Sequence, residues 1–236
     1  MRLDKLLSTL GAATRSESKA LLKAGRVQVN GETVRDGGKP VGEGDEVILD
    51  GQRLDTRTER HLLLCKPAGV LTAAEDRRQP TVMDLLPPVY RSLNCMPVGR
   101  LDKDTTGLLL LTTDGELAHR LLAPKCHVDK VYRAKVDGAL TEEDAAAFAR
   151  GIPLKDFTAL PAEMEIVSPD TALVTVREGK YHQVKRMFGA RGRQVIALHR
   201  LRFGPLSLDG EMAPGQFREL TGEEIAALRK AAGMTE

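Results

Sequence analysis

The sequence predicts an α+β chain built as two units, and three features carry that reading. The first fifty residues hold two short helical patterns and an Asn-Gly hairpin signal. A polar, turn-rich stretch follows, and the rest carries apolar runs of strand length separated by helical segments. At 236 residues the chain is long for one small domain and comfortable for two. Hydrophobic residues make up 42% and charged residues 29%, enough to bury a core and unlike a disordered tail.

Leu3, Leu6, Leu7 and Leu10 recur at i, i+3, i+4 and i+7, the stripe of a short amphipathic helix. Thr14 and Glu17 make a capping-box pattern that opens a second helix, which Gly25 can end. That helix is expected to bury Ala20, Leu21 and Ala24 and to turn Arg15, Lys19, Lys23 and Arg26 toward one polar side. Val27 and Val29 then alternate with polar residues before Asn30-Gly31, a strong hairpin signal. A second short strand leads into the polar turn 41–45, and Glu46 to Leu49 resumes an extended pattern. Residues 1–50 thus read as the first domain, 51–60 as a polar linker and 61–236 as the second domain.

In the second domain, HLLLCKPAGVL (61–71) is an apolar strand that must end or bulge at Pro67, with Gly69 free to make a tight reversal. Lys66 at this break either supports a loop or is simply exposed; the sequence leaves both open. Leu108 to Leu111 is an unbroken apolar run suited to a strand buried on both faces. After it, Thr113 and Glu116 can cap a helix from about Glu116 to Leu122, stopped at Pro124. Before it lies the polar loop Gly99 to Gly107 with Asp102 and Asp104. Spacing admits four readings of that pair: a D-x-D metal site, a glycosidase-like carboxylate pair, a nucleophile beside a structural carboxylate, or a purely structural loop. Residues 223–232 read as a terminal surface helix.

Composition excludes several classes. No stretch approaches the ~18 consecutive apolar residues of a membrane span. The N-terminus is broken by charges every few residues and lacks the apolar core of a signal peptide. Cys65, Cys95 and Cys126 are scattered and odd in number, which argues against a disulfide framework or zinc knuckle and fits a reducing cytoplasm. Without tryptophan and with 3% aromatics, binding of RNA by rows of stacked rings is disfavoured. The net charge of +2 hides strong local bias. Residues 1–40 carry eight Lys/Arg against four Asp/Glu, and residues 177–202 carry eight against one, whereas 41–60 carry three against six. Two basic regions of this kind suit a polyanion.

The first unit resembles an S4 domain, a small RNA-binding module, through RLDKLL, TRSESKALLKAGRVQVNG and VGEGDEV. The resemblance implies RNA contacts at Arg2, Arg15, Ser16, Lys19 and Arg26. GRLDKDTTGLLLLT in turn resembles the long motif of pseudouridine synthases, G-R-L-D-x-[DN]-[ST]-x-G-L-L-L-x-T. Lys130-Val131-Tyr132 and GKYHQVKRM (179–187) match two further blocks of that family. The resemblance implies that Asp102 is the catalytic carboxylate, that Tyr132 stacks on the target base, and that Lys185 pairs with Asp102. Many relatives carry arginine there, so a point charge stands in place of a bidentate fork. It further implies that Arg100 fills the space left by a flipped uridine, while His182 and Gln183 hold the substrate loop. Arg186, Arg191, Arg193, Arg200 and Arg202 read as phosphate contacts.

The S4 unit, the YHQVKRM block and the closing APGQFRELTGEEI (213–225) resemble the branch that acts on uridine 516 of 16S ribosomal RNA, whose nearest sisters modify 23S ribosomal RNA. The implied second domain is α+β, on a mostly antiparallel sheet flanked by helices. The implied enzyme is a cytoplasmic monomer that needs no metal or cofactor and meets 16S RNA in a small-subunit assembly intermediate. The competing expectations are a 23S-directed synthase and a non-catalytic RNA-binding or ribosome-assembly protein.

Overall fold

The leucine stripe folds as α1 (Leu3–Thr9), with Leu3, Leu6 and Leu7 buried. In this computed structural model every residue is described except Glu43, Pro124, Lys125, Asp209, Glu211, Thr235 and Glu236. Thr14 caps α2 (Arg15–Lys23): its hydroxyl accepts from the Glu17 amide, and the Glu17 carboxylate accepts from the Thr14 amide. Such a cap contributes about 1 kcal/mol. Gly25 ends the helix region with φ +71°. The buried face of α2 differs from the expected one. Ser18 and Leu22 point inward, whereas Ala20 and Ala24 are exposed. Leu21 packs partly buried against the core as expected, and with fully buried Leu22 it removes more apolar area from water than two alanine methyls, so the leucine pair sets the helix rotation.

The small sheet runs β2-β1-β3-β4, from β1 (Val27–Val29), β2 (Glu32–Thr33), β3 (Val47–Leu49) and β4 (Gln52–Arg53). Asn30 and Gly31 take φ of 53° and 82°, the pair of positive values a two-residue hairpin turn requires. Asp50 and Gly51, at 51° and 80°, repeat the device between β3 and β4. Residues 51–60, expected as a linker, are therefore partly strand. Arg60 is also buried and ion-paired with Asp55 at 2.9 Å. The polar composition concealed a second Asx-Gly hairpin. The first compact unit comprises Met1–Arg60 and Leu86–Met96, the latter adding α3 (Pro88–Ser92) and Leu93 to the leucine-valine core.

The remaining strands are β5 (His61–Lys66), β6 (Met96–Pro97), β7 (Thr106–Thr112), β8 (Lys130–Val136), β9 (Ile152–Pro153), β10 (Thr158–Ala159), β11 (Glu163–Ser168), β12 (Thr171–Val176), β13 (Val195–Phe203), β14 (Leu206–Ser207) and β15 (Phe217–Glu219). The helices are α4 (Gly115–Leu122), α5 (Glu142–Arg150), α6 (Gln183–Ala190) and α7 (Gly222–Ala231). The main sheet of the second unit runs β11-β12-β8-β13-β7-β5-β15. Its pairings are antiparallel except β13 with β7, as a mostly antiparallel sheet predicts. Leu108 to Leu111 lie fully buried in β7 between β13 and β5. Where β7 meets β13, Gly107 has φ +102°, and a Cβ there would fall 2.3 Å from the Arg200 carbonyl oxygen. Only glycine fits that crossing.

Two helix expectations shift. Asp114, not Thr113, caps α4, its carboxylate accepting from the Leu117 amide at 2.9 Å. The expected stop at Pro124 lies outside the described residues. The C-terminal helix α7 is no mere surface element, since Leu228 and Ala232 pack with Leu63, Leu108, Leu110 and Leu117. No helix among the described residues is long and apolar enough to cross a membrane.

Candidate active site

Lys66 ends β5 with its side chain fully buried. Its ammonium donates to the carbonyl oxygens of Pro67 (3.0 Å), Asp102 (3.1 Å), Lys103 (3.3 Å) and Thr105 (2.9 Å). Of the two readings left open by the sequence, the structure selects loop support. Burial pushes the Lys66 ammonium down to about 8, against the pull of Asp104 and Asp102. The loop is pinned elsewhere too: the Thr72 hydroxyl donates to the Leu101 carbonyl and accepts from its amide, and the Gly69 amide donates to the Lys103 carbonyl. Asp102 is thus presented by a backbone held from beneath.

From the facing element, α6 brings Lys185 to both carboxylates, 3.0 Å from Asp102 Oδ2 and 2.5 Å from Asp104 Oδ1. Burial works against the Lys185 charge, but hydrogen bonds to Asp104 and Asp102 outweigh it and raise its pKa. The same Lys185 hydrogen bond holds the Asp104 carboxyl below its ordinary range, although burial opposes it. A metal shared by the D-x-D pair would have to take the place of this ammonium, so the geometry favours an ion pair over a cation site. Among the described residues, no group of three His, Cys, Asp or Glu side chains is placed to hold a metal.

Asp102 faces a cleft of about 570 Å³ lined by Arg100, Arg177, Lys180 and the buried Lys130. A smaller adjoining pocket, also lined by Asp102, contains Tyr132, largely buried on β8. Arg100 is exposed. His182 precedes α6 in the left-handed region (φ 49°) and places Nε2 3.4 Å from Asp102 Oδ1. Gln183 is buried; its oxygen accepts from the Lys180 amide and its nitrogen donates to Glu178, bracing the loop. Asp102, Tyr132, Lys185, Arg100, His182 and Gln183 therefore converge. Sequence reasoning missed the Thr72 support, whereas the Lys-Pro-x-Gly break had flagged Lys66 as one that supports a loop or is simply exposed.

The cations expected to contact phosphates divide into groups. In the first unit, Arg2, Arg15, Ser16 and Lys19 line one cleft of about 540 Å³ together with Lys5. Asp4 lines the same cleft and pairs bidentately with Arg2, and Arg26, outside it, makes a bidentate pair with Asp50. In the second unit, Arg202 is exposed, while Arg186 is paired with Asp156 and lies over the Phe157 ring. Arg191 and Arg193 tie to buried Asp144, and Arg193 also donates to the Ala139 carbonyl. Arg200 is buried, with Nε donating to the Leu108 carbonyl at 2.7 Å. A phosphate cannot reach it, so the expectation for Arg200 is corrected: alternation along β13 turned it inward.

A lysine-paired carboxylate in a cation-lined cleft, with a basic module elsewhere in the chain, defines an enzyme that works on a polyanion through carboxylate chemistry. Comparison with known proteins gives that class its family. The family model described as RNA pseudouridylate synthase matches residues 60–190, and that of the S4 domain matches residues 1–47. The chain is 45% identical over 236 residues to YtzG, an uncharacterized RNA pseudouridine synthase of Bacillus subtilis, covering 98% of this chain and 99% of that one. It is 40% identical over 233 residues to ribosomal small subunit pseudouridine synthase A of Escherichia coli (strain K12), covering 97% and 100%. A crystal structure of a pseudouridylate synthase matches with a TM-score of 0.68 at 36% identity, covering 97% of this chain and 99% of that one. The chain belongs to the RNA pseudouridylate synthase family and carries an S4 domain; it is an RNA-modifying isomerase.

Proposed function

We propose that this enzyme converts uridine 516 of 16S ribosomal RNA to pseudouridine, acting in the cytoplasm as a monomer on a small-subunit assembly intermediate. The target rests on relatives, 40–42% identical over nearly the whole chain, that bear the name ribosomal small subunit pseudouridine synthase A. The chemistry rests on one observation, the Asp102–Lys185 ion pair at 3.0 Å facing the cleft. In this reading residues 1–50 grip RNA through the Arg2, Arg15 and Lys19 cleft, and residues 61–236 carry out the isomerisation.

The reaction breaks N1–C1′, turns the uracil, and forms C5–C1′; a proton leaves C5 and one is gained at N1. Asp102 begins it as a carboxylate, either attacking covalently or removing the C2′ proton. The Lys185 ammonium, 3.0 Å from Asp102 Oδ2, offsets its negative charge and orients it at a site from which substrate excludes water. Tyr132 stacks on the detached uracil and holds it between steps. The target uridine leaves its stack to enter, and Arg100, exposed at the cleft, fills the gap.

Tritium placed at C5 of uridine tests this directly, because bonding through C5 expels the label to water. Release from 16S transcripts or small-subunit particles, mapped to uridine 516 and lost in Asp102→Asn, is the expected result. Release from 23S RNA alone would overturn the target and leave the chemistry standing.

A further inference from the structure

Tyr181 is 69% exposed in the wall of the active-site cleft, and the catalytic reading above gives it no task. Its inner face stacks on the His182 ring, with centroids 3.8 Å apart and planes 17° from parallel. His182 in turn lies 3.4 Å from Asp102. The segment is braced: Gln183 binds the Lys180 amide and Glu178, and Glu178 accepts from the Leu160 amide. A ring held flat on one side and open on the other, among Arg100, Arg177 and Lys180, has the form of a stacking platform for a nucleobase.

We propose that the outer face of Tyr181 stacks a base of the nucleotide next to the flipped uridine, making it a second RNA subsite of the catalytic domain. Two stacked rings separate that face from the Asp102 carboxylate, so the base it holds is a neighbour of the target and not the target itself. The neighbour's position then sets where the uridine enters. Stacking tolerates any base, so the subsite supplies register and grip more than sequence readout. This inference rests on the placement of the reaction at Asp102.

The test uses transcripts carrying the target uridine with 2-aminopurine on its 5′ or its 3′ side, and full-length protein. Binding to the wild type should quench the probe at one of the two positions. Tyr181→Ala should abolish that quench and raise KM by roughly ten- to a hundredfold, with single-turnover kcat within a few-fold of wild type. Tyr181→Phe and Tyr181→Trp should restore both. If Tyr181 only props His182, Tyr181→Ala will lower kcat with KM unmoved and the quench intact, which overturns the proposal. No quench at either position in the wild type overturns it as well. Asp102→Asn, assayed in parallel, separates the two claims. Retained tritium release would sink the catalytic reading, while the quench continues to report on the platform.

Discussion

Replacing Lys66 with methionine should disable the enzyme while leaving it folded. The ammonium makes three hydrogen bonds of 2.9–3.1 Å and a fourth of 3.3 Å. Bonds to a charged donor contribute about 1.5–3 kcal/mol each, or about 5–9 for the three shorter ones. Burial opposes them and holds the ammonium pKa down at about 8, so the net loss is smaller than that sum. It falls on the peptide units around Asp102, which lose the donor they share. A displacement of about 1 Å at a reacting group can cost about a hundredfold in rate, so kcat for tritium release should fall by that order. The melting temperature should drop while a cooperative transition persists. A folded Lys66→Met enzyme with kcat within threefold of wild type would refute the reasoning. The same group predicts a pH effect. Between about pH 8 and 10.5 the unfolded chain keeps a proton that the native state gives up, so the Lys66 contribution to stability rises with pH across that window. Activity should fall over its lower part, because a neutral amine has one fewer N–H for the loop, and a pH–rate profile compared with a melting series would separate the two trends.

Asp102→Asn should abolish tritium release with RNA affinity changed less than about threefold, as a filter-binding titration would show, because only the ionised form can start the reaction. Gly107→Ala places a methyl 2.3 Å from the Arg200 carbonyl at φ +102° and should cost at least about 3 kcal/mol in urea denaturation; a smaller loss would mean the β7–β13 crossing relaxes easily. Lys19→Ala should reduce the slope of log affinity against log salt by about one, whereas Arg191→Ala should leave that slope unchanged and lower the melting temperature, since it removes one of the two arginines paired with the buried Asp144 carboxylate.

Local signals in the sequence translated well into structure. The Thr14 capping box, the Asn30-Gly31 hairpin and the buried Leu108–Leu111 strand depend on residues within a few positions of one another. The convergence of Asp102, Tyr132 and Lys185 became legible through family motifs, because nothing local brings residues 102 and 185 together. What stayed hidden was long-range satisfaction of charge. Lys66 reaches carbonyls 36 to 39 residues away, and Arg191 reaches Asp144 47 residues away. A basic run therefore looked uniformly available to RNA, although Arg191, Arg193 and Arg200 are committed to the fold. The rotation of α2 escaped for a smaller reason: Ala20 and Ala24 are too weakly apolar to hold the expected face inward beside Leu21 once Leu22 competes.

The second unit carries several cations beneath its surface, and carbonyl oxygens accept hydrogen bonds from each of them. Lys66 serves the loop, Lys130 donates to the Val128 and Arg177 carbonyls, and Arg200 donates to that of Leu108. Carbonyl dipoles solvate these charges, and of the three Lys130 lines the cleft. Mobile ions screen exposed charges well and buried ones poorly. The two halves of the enzyme should therefore respond differently to salt. Attraction of the exposed first-unit cations for a polyanion should fall as ionic strength rises, while that of buried Lys130 at the cleft should fall less.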